Sequence, residues 1–557
     1  MKFTMLMLEI RGNMPGFSGH YSEGVASIAS VIKSAGHEFE LMHVTRPIDP
    51  DELAERVAAS GPDAIGYSCM THTFRYLVEF AGAIRRRLPD TPSIMGGVHA
   101  ILNPEESINV DGISAVSLGE GEAVILPFLD RVDRGESFAD VPGIYAKEGG
   151  EITRNLAAPL ITELDSLPAP DRSVFDFMKL VSTREGVLYV HCSRGCPYKC
   201  PFCCNEAIRD RAPNAQSYLR YKSVERVCEE IKQSLRYFPG KLHGIYFQDE
   251  ILTMNKKWFR EFAEVYPQRV GIPFNCNLRA DLVSLDVAEL LQQAGCNSVS
   301  LGLESGVERI RAEIVGKHIP DEQCHEAFRR LRDRGIQVNT FSMIGLPGET
   351  PKDALTTVFF NAESKIDKNM VSIFCPYPGT PLHTQALANG TLSSRMPDTF
   401  SDDTPMNQEC ISADQIKFIH DYFGIIVRLY RTRWPGKAIV GPLTRYVERD
   451  GWSLKALVSA KRALKKSVTA PYLWFGHYLM NRQAQVFRKG AVEVDCSHLS
   501  GPAAMKTSKE KPSSEPTAGP ETVAPPPAEP QPVSVGATDP ILPIVDPAMA
   551  VRSVSKN

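Results

Sequence analysis

The chain has 557 residues, of which 43% are hydrophobic and 23% are charged, and its formal net charge is −4. This length exceeds what one hydrophobic core usually supports, so two or three domains are expected. The composition is typical of globular proteins, the charge does not indicate nucleic-acid binding, and no apolar run of about 18 residues predicts a membrane span.

Residues 1–140 alternate between strand-like and helical segments. The first segment, FTMLMLEI (3–10), is typical of a buried strand and lacks the cleavage site of a signal peptide, so we expect a cytoplasmic protein. In DPDELAERVAASG (49–61), Asp49 fits a helix N-cap, Pro50 the first turn and Gly61 the stop. The alternation predicts a doubly wound parallel sheet, an α/β fold, followed by a connector at 141–185.

Residues 186–395 repeat the strand–helix unit six times. The predicted strands are LYVHC, GIYFQD, FNCNL, SVSLGLE, NTFSMIG and MVSIFC. Six units predict a partial (β/α)6 barrel of the TIM type, short of the usual eight. In such a barrel, ligands bind in the loops at the carboxyl ends of the strands.

Residues 396–500 are predicted to be helical and partly basic. The segment 428–489 contains fourteen Lys/Arg and two acidic residues, with Trp434, Trp452 and Trp474 among them. Its part SLKALVSAKRALKKSV (453–468) has the pattern of a basic amphipathic helix. This pattern favours either contact between 428–489 and an anionic membrane surface, or a lid over the barrel with its basic face in water. Residues 501–557, with twelve prolines and no aromatic residue, are predicted to be disordered.

Five of the thirteen cysteines lie between residues 192 and 204. Cys196, Cys200 and Cys203 form the pattern C-x3-C-x2-C, whereas zinc sites usually have four ligands in two separated pairs and ferredoxin runs add a fourth cysteine. Three cysteines suit a four-iron cluster with one open iron, and a zinc loop is the alternative. Cys192 and Cys204 are interpreted as neighbours of this set.

The cysteines outside this loop have no ligand spacing. They are scattered among apolar runs, where a free cysteine behaves as a small hydrophobic side chain. We therefore predict buried, structural positions for Cys69, Cys228, Cys276, Cys324 and Cys375.

The motif CPYKCPFC (196–203) resembles the signature loop of radical S-adenosylmethionine (SAM) enzymes. The resemblance implies that Cys196, Cys200 and Cys203 hold a [4Fe-4S] cluster whose open iron binds SAM. One electron, from a donor such as flavodoxin or ferredoxin, would then cleave SAM to a 5′-deoxyadenosyl radical. Phe202 is implied as an adenine contact.

Further segments resemble the SAM contacts of this family, and they follow predicted strands. Asp249 and Glu250 are implied as partners of the SAM amino group, which suits carboxylates because they are strong acceptors for an ammonium. Arg279 is implied as a carboxylate partner, and Glu304 as a contact of the ribose or methionine part. The segment MIGLPGET (343–350) is implied to pack adenine against its backbone through Gly345, Leu346 and Pro347.

Residues 1–140 resemble the cobalamin-binding domain that is fused to many radical SAM enzymes. The resemblance rests on GPDAIGYSCMTHT (61–73), IMGGVHAILNPEE (94–106) and LGEGE (118–122). The D-x-H-x-x-G motif is absent, so His20 is not predicted to ligate cobalt, and a structural domain without the cofactor is the alternative. The implied cobalamin-binding residues lie at the carboxyl edge of the sheet and are Ser68, Met70, Thr71, Gly96, Gly97, His99, Gly119, Glu120, Gly121 and Glu122.

The two resemblances together imply a cobalamin-dependent radical SAM enzyme. Its most common activity is methylation of an unactivated carbon, here of a small-molecule or lipid substrate. One SAM molecule would methylate cobalamin and a second would supply the radical. An oxidative cyclase or rearrangement enzyme without methyl transfer is the alternative, and a non-enzymatic cobalamin- or cluster-binding sensor is the alternative from another class.

Overall fold

The computed structural model describes residues 1–11, 17–238, 241–393, 397, 399, 401–432, 436–467 and 494–495. Three sequence-based predictions concern residues outside this set. They are the disorder of 501–557, the basic segment beyond residue 467, and the positions of Trp434 and Trp474.

The first domain is built on one mixed sheet. Its strands are β1 (Lys2–Leu8), β2 (Glu38–Val44), β3 (Ala64–Ser68), β4 (Ser93–Gly96), β5 (Ala115–Ser117), β6 (Ile144–Glu148) and β7 (Glu151–Arg154). Its helices are α1 (Glu23–Ser34), α2 (Pro50–Ser60), α3 (Phe74–Arg87), α4 (Val98–Leu102), α5 (Pro104–Ile108) and α6 (Gly121–Asp133). The strand order is β2-β1-β3-β4-β5-β6-β7, and β1 to β5 pair in parallel, as the predicted doubly wound sheet requires.

Helix α2 begins and ends where its sequence predicts. The Asp49 side chain accepts hydrogen bonds from the N–H groups of Asp51 and Glu52, which have no partner inside the helix. Gly61 ends the helix with φ +63°, a left-handed conformation that glycine adopts without a Cβ clash.

The sheet continues into the segment that was predicted to be a connector. Strands β6 and β7 pair antiparallel with each other, and β6 pairs antiparallel with β5, so residues 144–154 belong to the first domain. Gly149 and Gly150, both with positive φ, form the tight hairpin turn. The boundary at residue 141 is therefore corrected to lie beyond Arg154.

The second domain is a six-stranded parallel half-barrel, as predicted. Its strands are β8 (Val187–Val190), β12 (Gly244–Phe247), β13 (Phe274–Leu278), β14 (Cys296–Glu304), β15 (Gln337–Ile344) and β16 (Lys368–Ile373), in the order β16-β15-β14-β13-β12-β8. Two short pairs flank it: β9 (Ser193–Arg194) with β10 (Arg220–Tyr221), and β11 (Lys241–Leu242) with β17 (Val494–Asp495). Its helices are α7 (Val181–Arg184), α8 (Cys204–Arg209), α9 (Val224–Ser234), α10 (Lys256–Arg269), α11 (Leu285–Gln293), α12 (Glu308–Glu313), α13 (Asp321–Arg332), α14 (Pro351–Glu363) and α15 (Pro381–Ala388).

Three helices follow the half-barrel: α16 (Ala413–Tyr430), α17 (Val440–Glu448) and α18 (Trp452–Ser467). Leu454 and Val458 of α18 are buried in a cluster with residues of α16 and α14. The apolar face predicted for this helix is thus used for packing, while Leu457 stays 44% exposed. Across the described ranges, we find no helix with both the length and the apolar character needed to cross a bilayer.

One hydrophobic core runs through both sheets. It joins Phe3 and Val25 of the first domain to Leu188, Phe247 and Phe274 of the half-barrel. Hydrophobic burial is the main favourable term in folding, so this core holds the first sheet and the half-barrel together. The scattered cysteines, including Cys276 and Cys324, are buried as predicted.

Candidate active site at the cysteine loop

The loop after β8 carries three thiols with the predicted spacing, and none of them is in a disulfide. Cys200 is buried, and Cys196 and Cys203 are partly exposed. Gly195 opens the loop with φ +92°, and a Cβ atom at this position would overlap the carbonyl oxygen of Tyr218. The loop therefore needs glycine immediately before its first cysteine.

The protonation of the thiols differs along the loop. Burial raises the pKa of Cys196 to about 11 and also raises that of Cys200. A hydrogen bond from Cys204 and the amide groups of Asn205 lower the pKa of Cys203 to about 7. Thiolates are the metal-binding form, so a cluster would displace protons from Cys196 and Cys200 on binding.

The donor set fits a multi-iron cluster. Within the described residues, no three His, Cys, Asp or Glu side chains converge as ligands of a single metal ion. In an iron–sulfur cubane each thiolate binds its own iron atom, so the sulfurs need not converge on one point. Three free thiols in one loop, electrostatically coupled to one another, are what such a cluster requires.

Cys192 and Cys204 differ from this set. Cys192 is fully buried, and burial raises the pKa of its thiol well above the usual range. The Cys204 thiol donates to Cys203, and this hydrogen bond raises the pKa of Cys204. Both features agree with the interpretation of these two cysteines as neighbours.

Asp249 lies beneath the loop. Its carboxylate accepts hydrogen bonds from the N–H groups of Cys192 and Ser193 at 3.0 and 2.5 Å and from the Ser193 hydroxyl at 2.5 Å. It is fully buried, and burial raises its pKa. These contacts hold the backbone at the start of the loop, and the implied contact of Asp249 with SAM stays a prediction.

Glu250, by contrast, is exposed at the strand end. Its carboxylate accepts a hydrogen bond from the Asn205 side chain at 3.0 Å, and Asn205 in turn accepts from the Tyr218 hydroxyl at 2.8 Å. Of the two neighbouring carboxylates, Glu250 is therefore the one that a ligand above the loop can reach.

Arg279 is next to the cluster cysteines. Its Nη1 atom lies 3.8 Å from the sulfur of Cys200, its guanidinium is 3.6 Å from the ring centroid of Tyr198, and two bonds of 3.1 Å join it to Asp281. Asp281 and Tyr198 fix the orientation of the guanidinium, and its positive charge favours the thiolate form of Cys200.

Glu304 forms a buried ion pair that the sequence did not predict. Its Oε1 atom is 2.8 Å from Nζ of Lys317, which also donates to the Gly302 carbonyl at 2.9 Å. Both side chains are at least 90% buried, and Lys317 lies 6.0 Å from the ring of Phe202. Glu304 has φ +64°, a conformation that is uncommon outside glycine and that is concentrated at functional sites.

The segment 343–350 is stabilised by a carboxylic acid. Glu349 accepts from the N–H groups of Gly345 and Leu346 at 2.6 and 3.3 Å, and its other oxygen has no partner. Burial raises the pKa of Glu349 to about 8. The side chain of Phe202 packs on the same cluster as Leu346, which brings two implied adenine contacts together.

The carboxyl edge of the first sheet is open in its centre. A Cβ atom built on Gly119 would meet nothing within 4 Å, and one on Gly96 would meet only Ser117 at 4.0 Å. Ser68 is partly exposed and Met70 is 46% exposed at the same edge. This open edge of small residues fits the approach of a large, flat ligand such as a corrin.

Other residues of this edge are used internally. His99 is buried with its Nδ1 atom 3.2 Å from the Thr71 hydroxyl, and burial lowers its pKa to about 4. Its Nε2 atom has no hydrogen-bond partner. Gly97, with φ +93°, lies so close to the Cys69 carbonyl oxygen that a Cβ atom would be 2.7 Å from it.

The LGEGE turn (118–122) of the first domain forms ion pairs with the second domain. Glu120 and Glu122 accept hydrogen bonds from Arg194 at 2.8 and 2.6 Å, and Glu120 also accepts from Arg220 at 2.9 Å. These carboxylates, implied as cobalamin contacts, are thus paired with arginines of β9 and β10, the two strands that flank the cysteine loop. Gly121 packs on Ile28, because a Cβ there would be 2.7 Å from its Cδ1 atom.

Comparisons with known proteins agree with both parts of the site. Residues 190–360 match the radical SAM superfamily and residues 18–126 match the B12 binding domain. The chain belongs to the radical SAM superfamily. Within this radical SAM chain, the first domain is the B12-binding domain, and the two domains bring a [4Fe-4S] cluster, SAM and cobalamin as cofactors.

Two curated relatives and one solved structure are similar to this chain over about two thirds or more of its length. An uncharacterized methyltransferase of Pyrococcus horikoshii is 27% identical over 374 residues, which are 66% of this chain and 79% of that protein. The anaerobic magnesium-protoporphyrin IX monomethyl ester cyclase of Rubrivivax gelatinosus is 28% identical over 391 residues, 67% of this chain and 66% of the cyclase. The structure of the methyltransferase TsrM from Kitasatospora setae, with cobalamin and a [4Fe-4S] cluster bound, shares the fold with a TM-score of 0.58 at 18% identity, covering 74% of this chain and 84% of TsrM.

Proposed function

We propose that this radical SAM enzyme transfers a methyl group from SAM, by way of cobalamin, to an unactivated carbon of its substrate. The observation that carries the proposal is the direct pairing of Glu120 and Glu122 in the B12-binding domain with Arg194 at the start of the cysteine loop. The hydrophobic core that the two domains share also supports a site built from both domains.

The chain's own residues bind and orient the reactants. Cys196, Cys200 and Cys203 hold the cluster, which supplies one electron for cleavage of SAM when it is bound. Glu250 and Glu304 bind the SAM amino and ribose groups, and Phe202 packs on the adenine. Asp249 keeps the loop backbone in place, and Arg279 stabilises the thiolate of Cys200.

An oxidative cyclase is the second candidate, because the cyclase of Rubrivivax gelatinosus is 28% identical to this chain. The two activities differ in their products. A methyltransferase releases S-adenosylhomocysteine together with 5′-deoxyadenosine, whereas a cyclase releases 5′-deoxyadenosine alone.

Anaerobic purification with added cobalamin, followed by reduction and addition of SAM, tests the proposal. The expected result is protein that binds iron and cobalamin, with transfer of labelled methyl groups from SAM to cobalamin and slow cleavage of SAM to 5′-deoxyadenosine. Cleavage without any transfer of label to cobalamin favours the cyclase, and failure to cleave SAM overturns both candidates.

We also infer two partners. A one-electron protein donor of the flavodoxin or ferredoxin type reduces the cluster. The surface of α17 and α18 contacts an anionic membrane face peripherally, which is supported by exposed Arg449 and Lys455 beside Trp452, whose side chain is 83% exposed.

A further inference from the structure

The interior of the half-barrel is polar, which is unusual for this architecture. Barrel interiors of the TIM type are filled mainly with branched apolar side chains. Here the neighbours across β14, β15 and β16 are Ser300, Asn339 and Lys368, since Ser300 pairs with Asn339 and Asn339 with Lys368. On the next strands, Tyr246 pairs with Asn275 and Asn275 with Ser298, two residues before Ser300 on β14.

These side chains line a cavity of about 40 Å³. A cavity of roughly 10–15 Å³ holds one water molecule, so this cavity accommodates a group of a few heavy atoms. Tyr246 connects the cavity to the active site, because its hydroxyl donates to Asn277 at 2.8 Å and Asn277 donates to the Asp249 carbonyl at 3.0 Å.

Within the part of the chain that the structure describes, two acceptors in the cavity have no hydrogen-bond partner. The Oδ1 atoms of Asn275 and Asn339 are buried without a hydrogen bond, and the Asn339 side chain is 93% buried. An apolar group in the cavity would leave both oxygens unsatisfied, which is unfavourable for buried acceptors. A ligand with a hydroxyl or amino group would satisfy them.

The cavity also presents donors. Lys368, Tyr189 and Ser300 line it, and so does one carboxylate residue, Glu185. Burial lowers the pKa of Lys368 to about 8, although Glu185 opposes the shift, so the side chain is still mostly protonated near pH 7. A buried ammonium of this kind is stabilised by an anionic partner.

We propose that this cavity binds a carboxylate with a hydroxyl or amino group on the adjacent carbon, and that the substrate therefore enters the barrel with a polar acid end. The carboxylate accepts from Lys368 and Ser300, and the adjacent hydroxyl or amino group donates to Asn275 and Asn339. The inference rests on the proposed function in taking the bound molecule as the methyl acceptor, while the binding itself does not depend on it.

Binding of small probes tests the inference. Lactate, propionate and 1-propanol are titrated into the full-length protein, without SAM or reductant, and followed by ligand-observed NMR. A probe of this size binds at best in the millimolar range, near −4 kcal/mol. We expect lactate to bind at least about threefold more tightly than propionate and 1-propanol to show no saturation, because one unsatisfied buried oxygen costs roughly 1 kcal/mol or more.

Variants assign the binding to the cavity. Lys368→Met should weaken lactate binding about tenfold or more, and Asn339→Leu should abolish the preference for lactate over propionate. Lys352→Met, at an exposed position of α14, is the matched control and should bind as the wild type does. Thermal melts identify any variant that does not fold, and Ser300→Ala then replaces it with the same expectation of weaker binding.

Two results would overturn the inference. One is no saturable lactate binding to the wild-type protein, which would indicate a cavity that holds only water. The other is equal lactate binding to the wild type, Lys368→Met and Asn339→Leu. The methyl-transfer assay with cobalamin needs none of these residues. A negative result for ligand binding in the cavity can therefore be distinguished from a negative result for the proposed methyl transfer.

Discussion

Arg194 of the cysteine loop and Glu122 of the B12-binding domain form an ion pair of 2.6 Å between Nη2 and Oε1. Glu122 is 5% exposed, so removing the guanidinium leaves a buried carboxylate without its partner. We expect Arg194→Gln to lower the free energy of unfolding by about 2–4 kcal/mol and to lower the iron content after reconstitution. Urea denaturation and iron analysis measure both effects.

The control for this change is Arg154→Gln. Arg154 pairs with Glu105 on the surface, where both side chains are about half exposed, and such exposed pairs contribute little to stability. If the two variants lose the same stability and the same iron, the pairing of Arg194 does not support the loop.

The five cysteines of the loop should separate into two groups. Replacing Cys196, Cys200 or Cys203 by alanine should remove the [4Fe-4S] signal, because each supplies a ligand that no neighbour replaces. Cys192→Ala and Cys204→Ala should retain iron close to the wild-type content. Iron analysis and the electron paramagnetic resonance spectrum of the reduced protein distinguish the two groups. Loss of the cluster in Cys204→Ala would contradict the assignment.

Lys317→Met should be strongly destabilising. It leaves the carboxylate of Glu304 buried without its 2.8 Å partner, and breaking a buried pair on one side costs about 3–5 kcal/mol. The double variant Lys317→Met with Glu304→Gln removes both charges and should recover part of this loss. Equal stability of the single and double variants, measured by urea denaturation, would show that the ion pair is not the cause.

Glu349 predicts a pH dependence of stability. Its pKa is about 8 in the folded protein and near 4.5 in the unfolded chain, so between these values only the native state holds the proton. The contribution of Glu349 to the free energy of unfolding is therefore fully present below pH 4.5 and is lost as the pH rises through 8. Glu349→Gln should be more stable than the wild type at pH 9, by up to about 4 kcal/mol, and similar to it at pH 5.

The matched control for this pH dependence is Glu264→Gln, at an exposed position of α10. It should follow the wild-type pH dependence in denaturant titrations at pH 5, 7 and 9. If Glu349→Gln follows the same curve, the buried acid is ionised at neutral pH, and the assignment of its raised pKa is wrong.

The basic helical surface should bind anionic vesicles. Each Lys or Arg near such a membrane contributes about 1 kcal/mol, and the attraction weakens with salt. In flotation assays with phosphatidylserine vesicles, the combined change Arg449→Glu and Lys455→Glu should reduce binding at least tenfold. Arg86→Glu with Arg87→Glu, exposed on α3, is the control, and equal binding of the two double variants would count against contact through α17 and α18.

Local sequence patterns predicted the elements of this fold well. The structure has three such features where the sequence predicts them: the helix cap at Asp49, the helix end at Gly61 and the succession of barrel strands. Each depends on residues that are close in sequence. The hairpin at Gly149 and Gly150 was also readable from its paired glycines, although the segment was interpreted as a connector.

The partners of charged residues were not predictable in the same way. Glu122 and Arg194 are 72 residues apart in sequence, and Asp249 meets the loop backbone 56 residues before it. Only the packing of the two sheets brings them together. An acidic residue after a strand is equally typical of a ligand contact and of an internal ion pair, and Lys317 had no motif at all.

The core shared by the two sheets limits how this protein can be recombined. A B12-binding domain from another protein, grafted before residue 155, would have to supply apolar side chains for the core that both domains share, and the two carboxylates that meet Arg194. A chimaera that is joined at the domain boundary without matching these contacts should not pack its two domains stably. A successful graft should therefore transfer the LGEGE turn (118–122) together with the tripeptide SRG (193–195) that it contacts.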